Sequence, residues 1–109
     1  MAKSLKNLTK VEFISASYEV IDDREIWTDV KVSSKQGEFY LFVFPNLENG
    51  TMDFVEKIID DKNNRDFYTS EDTSKRLIRK LNKQYTKWFS ENISNQEWYP
   101  QVLKNRKEF

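Results

Sequence analysis

Three segments in the first half of the chain have the hydrophobic pattern of β-strands. Residues 11–20 are rich in strand-favouring aliphatic and aromatic side chains and stop at a turn-like aspartate pair. Residues 25–33 alternate cleanly between apolar and polar positions, and this alternation places Trp27 on the more polar face. Residues 39–44 are a continuous apolar run, which predicts a strand covered on both faces. Because the connections are short, the three segments predict an antiparallel meander.

The segment that follows has two interpretations. Apolar side chains in residues 51–59 recur at spacings typical of a helix, and acidic residues stand near its start. A short helix is therefore the prediction that we favour. The preceding dipeptide Asn49-Gly50 is a strong hairpin signal, and in the alternative interpretation residues 51–59 form a fourth strand. Residues 60–66 are polar and are predicted to be a linker.

The clearest element is an amphipathic helix over residues 71–91. Its apolar side chains repeat at helical spacing along one side, which should pack on the sheet. The opposite side carries a stripe of basic side chains, Arg76, Lys80, Lys83 and Lys87.

These elements predict one α+β domain over residues 1–109. An antiparallel sheet of three to four strands carries one long amphipathic C-terminal helix packed on one face. Residues 1–10 are expected to form a flexible basic arm, and residues 100–109 a flexible basic tail. The core is expected to contain Phe13, Phe39, Leu41, Val43, Leu77, Leu81, Tyr85, Trp88 and Phe89.

The charge distribution adds a second feature to this picture. The formal net charge is zero, yet residues 11–61 carry twelve acidic against four basic side chains, a balance of minus eight. Residues 62–109 carry eleven basic against six acidic side chains, a balance of plus five. The domain is therefore expected to be dipolar. The two halves either pair internally or present an acidic and a basic face to different partners.

The composition excludes much of enzyme chemistry. The chain has no cysteine and no histidine, which removes thiolate nucleophiles, disulfides, the usual structural zinc sites and the commonest general base. With two glycines there is no glycine-rich phosphate loop. We expect a non-enzyme that uses no metal or cofactor. No apolar run approaches the length of a membrane span and no signal-peptide pattern is present, so a cytoplasmic protein is expected.

The leading hypothesis is a small binding or regulatory protein that acts through a protein partner, as an inhibitor or adaptor. Exposed aromatic residues and the acidic half suit such a role, and the candidate contacts are Trp27, Trp98, Tyr99, Asp60 and Asp61. For Trp98 and Tyr99 the alternative is a lid that closes one end of the core. The richness in lysine, asparagine and isoleucine is consistent with an accessory gene of a phage or mobile element.

The alternative hypothesis is a nucleic-acid-binding module. Lysine and arginine spaced along one side of a helix suit a phosphate backbone, and the tail adds further charge. The candidate residues are Arg76, Lys80, Lys83, Lys87, Lys104, Arg106 and Lys107. The zero net charge counts against this hypothesis, because a nucleic-acid binder usually shows a basic excess, and a solvated helix face also explains the stripe.

Overall fold

The computed structural model describes residues 10–62, 65–68 and 71–107, with side chains described for residues 10–62 and 75–107. Residues 1–9 of the expected basic arm lie outside the described residues. In chain order the elements are β1 (Glu12–Ile21), β2 (Glu25–Ser34), β3 (Gly37–Asn46), β4 (Thr51–Asp60), β5 (Arg65–Tyr68), α1 (Glu71–Asn92) and α2 (Tyr99–Lys107). The predicted α+β class is confirmed.

The strands form one antiparallel meander in which each strand pairs with the next along the chain, in the order β1-β2-β3-β4-β5. Four strands have ten residues each, and β5 has four. The short β5 lies partly within the predicted linker 60–66, so the sheet has five strands rather than three or four. Residues 99–107 form a second helix where a flexible tail was expected, so α1 is not the one C-terminal helix.

The prediction of a helix over residues 51–59 is wrong, and β4 explains why the spacing was misleading. The β3–β4 register shifts between Phe42 and Val43 and again between Phe44 and Pro45, so β4 holds an extra residue at two points. Its buried apolar side chains consequently fall three residues apart, at Met52, Val55 and Ile58. Two bulges in a strand thus imitate the period of a helix.

Strand β3 is covered on one face, so the prediction of burial on both faces is also wrong. Phe39, Leu41 and Val43 are buried at 0–1% exposure beneath the helices. The alternate side chains Tyr40 and Phe42, with Phe44, are only half-buried and lie on the other face. The predicted core is confirmed on the helix side, with Phe13 and Trp88 at its partly buried border.

A buried hydrogen bond joins α1 to the centre of the sheet. The hydroxyl of Tyr85 lies 3.0 Å from Oγ1 of Thr28, and both residues are at most 1% exposed. The Thr28 hydroxyl donates to the carbonyl of Val43 at 3.3 Å, so the proton between Tyr85 and Thr28 belongs to Tyr85. Burial raises the pKa of Tyr85, which keeps the phenol protonated as a donor.

The same helix is fixed to the β3–β4 turn. The side-chain oxygen of Asn82 accepts a hydrogen bond from the Met52 amide at 2.8 Å, and the Thr86 hydroxyl donates to the Gly50 carbonyl at 3.2 Å. Gly50 has φ +71°, a backbone conformation that side chains disfavour. The turn can therefore approach the helix closely, and Phe89 lies directly against Gly50.

Helix α2 closes one end of the core. The Tyr99 hydroxyl donates to the carbonyl of Leu47 in the β3–β4 turn. The Asn105 amide donates to the carbonyl of Asp23 in the β1–β2 turn at 2.9 Å. Both turns lie at the same end of the meander, so α2 bridges them and covers the space between sheet and α1.

Gly50→Ala is expected to destabilise the domain by about 2–5 kcal/mol, the sum of a positive-φ cost and an overpacking cost. A Cβ at this position would lie 2.7 Å from Cδ1 of Phe89. Gly37→Ala is a control for backbone strain without a contact, because Gly37 has φ +133° and nothing within 4 Å of an added Cβ. Urea unfolding measures both variants. A loss for Gly50→Ala of no more than about 1–2 kcal/mol, the backbone cost alone, would show that the contact with Phe89 contributes nothing.

The variants Tyr85→Phe and Thr28→Val test which residue donates in the buried hydrogen bond between Tyr85 and Thr28. Tyr85→Phe leaves the Thr28 hydroxyl bonded to Val43 and should cost about 1 kcal/mol. Thr28→Val leaves the phenol of Tyr85 buried without its acceptor and should cost about 1–3 kcal/mol. The comparison is of free energies of unfolding, and a larger loss for Tyr85→Phe would contradict the assigned direction of the bond.

Candidate functional site

The sheet face opposite α1 is the candidate site. Within the described part of the chain, no helix packs over this face. Residues paired directly across an antiparallel ladder share a face, so the register defines its members. This open face contains Trp27, Asp29 and Lys31 of β2, Tyr40, Phe42 and Phe44 of β3, and Phe54, Lys57 and Ile59 of β4.

Three rings pack edge to face at the centre of the open face and form the open-face cluster, Trp27, Phe42 and Phe44. The ring centroid of Trp27 lies 5.2 Å from that of Phe42 and 5.4 Å from that of Phe44. The centroids of Phe42 and Phe44 lie 5.7 Å apart. Such contacts contribute about 0.5–1.5 kcal/mol each beyond area burial. Phe54 lies opposite Phe44 in the register and is 56% exposed. The cluster is rigid and borders a ring that is largely in solvent.

Lysines of the protein itself cover one part of the face. The Lys57 ammonium lies 5.7 Å from the ring centroid of Phe42, and the Lys31 ammonium lies 5.5 Å from that of Tyr40. Lys31 also pairs with Asp61 at 3.3 Å and with Glu38 at 3.7 Å. Among the described residues no cation lies over the remaining rings of this face. The uncovered part is therefore the part nearest the β3–β4 turn.

Phe44 also lines a groove that continues the uncovered part. The groove has a volume of about 440 Å³ and separates the β3–β4 turn from α2. This volume lies within the range of ligand and peptide pockets. Its walls include Phe44, Leu103, Glu48, Asp53, Arg106 and Lys107. Apolar side chains thus meet both acidic and basic groups at the end of the open face.

Asp29 and Trp27 carry polar groups beside the rings of the open face. Asp29 is exposed, and partial desolvation raises the pKa of its carboxyl, while Lys57 opposes that rise and Glu19 adds to it. Nε1 of Trp27 is buried, and none of the described residues offers it a hydrogen-bond acceptor. An unpaired buried donor costs about 1–3 kcal/mol. The open face therefore carries groups that do not favour folding, which is typical of surfaces used for contact.

The five residues that the sequence suggested as protein contacts lie in different environments in the structure. Trp27 lies in the open-face cluster. Tyr99 is buried, its ring packs against Phe89 at 5.9 Å, and burial raises the pKa of its hydroxyl. Trp98 is half-buried beside Tyr99 at 6.4 Å between ring centroids. This arrangement is that of a lid over the core.

The two acidic candidates lie apart from the cluster. Asp60 is 3% exposed, and its carboxylate accepts a hydrogen bond from the Lys62 amide at 3.0 Å, so it is not available at the surface. Asp61 is more accessible and pairs with Lys31. Asp60 ends β4 and Asp61 follows it in the turn, so the turn and the pair with Lys31 account for the two carboxylates.

All the basic candidates are exposed. The four on α1 and the three on α2 are Arg76, Lys80, Lys83, Lys87, Lys104, Arg106 and Lys107. Arg106 and Lys107 belong to the groove wall. The sequence did not identify Phe42 and Phe44 as surface residues, because a continuous apolar run indicates burial on both faces. It did not identify Phe54, because the apolar residues of 51–59 were interpreted as one side of a helix.

The described residues contain no group of three or more acidic side chains arranged to hold a metal ion. No helix in the described ranges is long and apolar enough to cross a membrane. No protein-family model matches the sequence, and neither a characterised protein nor a solved structure shows significant similarity to it.

Asp29→Asn is expected to stabilise the fold at neutral pH. Because the folded-state pKa is raised, the carboxylate costs little below its ordinary pKa of 3.8, and its cost grows as the pH rises through the folded-state pKa. The variant and the wild type should therefore have equal melting temperatures in acid and diverge toward neutral pH. Glu25→Gln, at an exposed position, is the control. A variant less stable than wild type at neutral pH would contradict the expected sign.

Proposed function

We propose that this domain is a non-catalytic binding protein that docks a protein partner on its open sheet face. The observation that carries the proposal is the uncovered group of rings, Trp27, Phe44 and Phe54, beside a groove. Tryptophan and other large aromatic side chains dominate binding energy at protein interfaces. A rigid ring cluster also loses little conformational entropy when a partner covers it.

The charge around this surface supports a partner with basic residues at its margin. Residues 11–61, which contain β1 to β4, carry twelve acidic and four basic side chains, and two of those bases already lie over rings of the open face. Asp29 lies within the face, and Glu48 and Asp53 lie at its groove end. An apolar surface flanked by lysine or arginine complements this arrangement.

Phe54→Ser is expected to weaken the complex about ten- to thirtyfold while leaving the fold intact, because truncation of a hot-spot ring costs about 1.4–2 kcal/mol. Ile14→Ser is the matched control, since Ile14 is a similarly exposed apolar residue, 45% against 56%, on edge strand β1. The tagged proteins are used to capture partners from host lysate after nuclease treatment at moderate salt, and the Kd of the captured protein is then measured for each variant.

The proposal requires one protein that the wild type and Ile14→Ser retain and Phe54→Ser loses. Thermal unfolding of each variant excludes a loss caused by instability. If Phe54→Ser and a Trp27→Ala variant that remains folded bind every partner as tightly as the wild type, the open face is not the docking surface.

A further inference from the structure

A second surface lies at the outer edge of the sheet. Strand β1 pairs with β2 alone, and no other described strand lies beside it. Its register with β2 is irregular between Phe13 and Ser15 but runs residue for residue from Ser15 to Ile21. An edge strand presents unpaired backbone donors and acceptors, and a bulge protects only the part where it occurs. The regular part of β1 therefore has the geometry that accepts another strand.

Aromatic side chains border this edge on the helix side and form the edge cluster, Tyr18, Trp88 and Trp98. Tyr18 is 38% exposed, and its ring lies 6.5 Å from that of Trp88 and 5.9 Å from that of Trp98. Trp88 in turn packs against the buried ring of Tyr85 at 5.6 Å. A strand added at the edge would place alternate side chains on this cluster, and those side chains would set its specificity.

Helix α1 reaches the same edge. The side-chain oxygen of Gln84 accepts a hydrogen bond from the Phe13 amide at 3.2 Å, so this flank of the helix faces β1. Residues three and four positions away share a flank of a helix, which places Lys80 and Lys87 beside Gln84. Both lysines are exposed. The flank of α1 beside β1 therefore carries two cations.

We propose that β1 accepts an extended, acidic segment of a protein partner as a further strand of the sheet. The backbone of the segment pairs with Ser15 to Ile21, and one or two apolar side chains cover the edge cluster. Carboxylates of the segment face Lys87 and, where the segment continues past Phe13, Lys80. This surface is separate from the open face and does not rest on the function proposed above.

The edge favours a peptide over a nucleic acid. A strand supplies alternating donors and acceptors that match those of β1, whereas a phosphate backbone supplies acceptors only. The basic flank alone would serve either ligand. The edge cluster and the unpaired strand lie beside that flank, and a peptide uses all three features together.

The probe is a display library of random twelve-residue peptides, selected on the immobilised, full-length protein. Enriched peptides should combine acidic residues with apolar residues at alternate positions. When such a peptide is added in solution, hydrogen exchange should slow at the alternate amides of residues 15–21 that point away from β2. Replacing a central residue of the peptide with proline should abolish binding, because proline removes a ladder donor.

Two charge-matched double variants test the helix flank. Lys80→Glu with Lys87→Glu should weaken the selected peptides at least about tenfold, since close opposite charges become like charges. Arg79→Glu with Lys83→Glu makes the same change in net charge at exposed positions that do not share the Gln84 flank, and should have a much smaller effect. Phe54→Ser should have none, which distinguishes this surface from the open face.

The proposal is overturned if the selection enriches no peptide, if enriched peptides lack acidic residues, or if the amides of residues 15–21 exchange as fast with peptide as without it. It is also overturned if the two double variants lose affinity equally. Binding of a single-stranded oligonucleotide that the Lys80 and Lys87 variant alone abolishes, with no peptide enriched, would assign the flank to nucleic acid instead.

Discussion

The placement of α1 across the sheet is the constraint on which the rest of the structure depends. Four polar side chains within one and a half turns of this helix bond three parts of the sheet. Asn82 and Thr86 bind the start of β4 and the turn before it, Tyr85 binds Thr28 at the centre, and Gln84 binds β1. An apolar stripe alone would permit the helix to slide or rotate. These bonds fix its position on the sheet face that carries Thr28, and among the described residues no helix covers the opposite face.

Covering one face leaves a problem on the other, because β3 is apolar at every position from Phe39 to Phe44. The protein reduces the exposure of the open face by packing its rings edge to face and by placing Lys31 and Lys57 over two of them. This protection ends near the β3–β4 turn, where Phe54 remains largely exposed. A sheet selected only for stability would carry polar side chains at such positions. The exposed end is the part of the face on which we propose that a partner docks.

Much of the fold could be predicted from local patterns, and the errors have identifiable physical causes. The alternation in β2 placed Trp27 on the exposed face, and the amphipathic period located α1 within a residue of its observed ends. The bulges of β4 hid a strand, because register depends on the neighbouring strand and not on the segment itself. The continuous apolar run in β3 was interpreted as burial on both faces, because a local pattern does not show whether one layer or two cover a strand. The Thr28–Tyr85 bond joins residues 57 positions apart, which no local pattern reveals.

The net charge is zero, but acidic and basic side chains are distributed unevenly along the chain, and the fold turns this uneven distribution into a separation of charge in space. The acidic half of the sequence forms most of the sheet, and the basic half supplies both helices on its covered side. The two proposed surfaces differ in the charges at their margins, since acidic and basic side chains both line the groove at the end of the open face, whereas Lys80 and Lys87 lie on the helix flank beside β1. Different charge patterns favour different partners at the two surfaces. On these two proposals the domain would hold two proteins at once without their competing for one surface, and that arrangement would suit an adaptor better than an inhibitor of a single target.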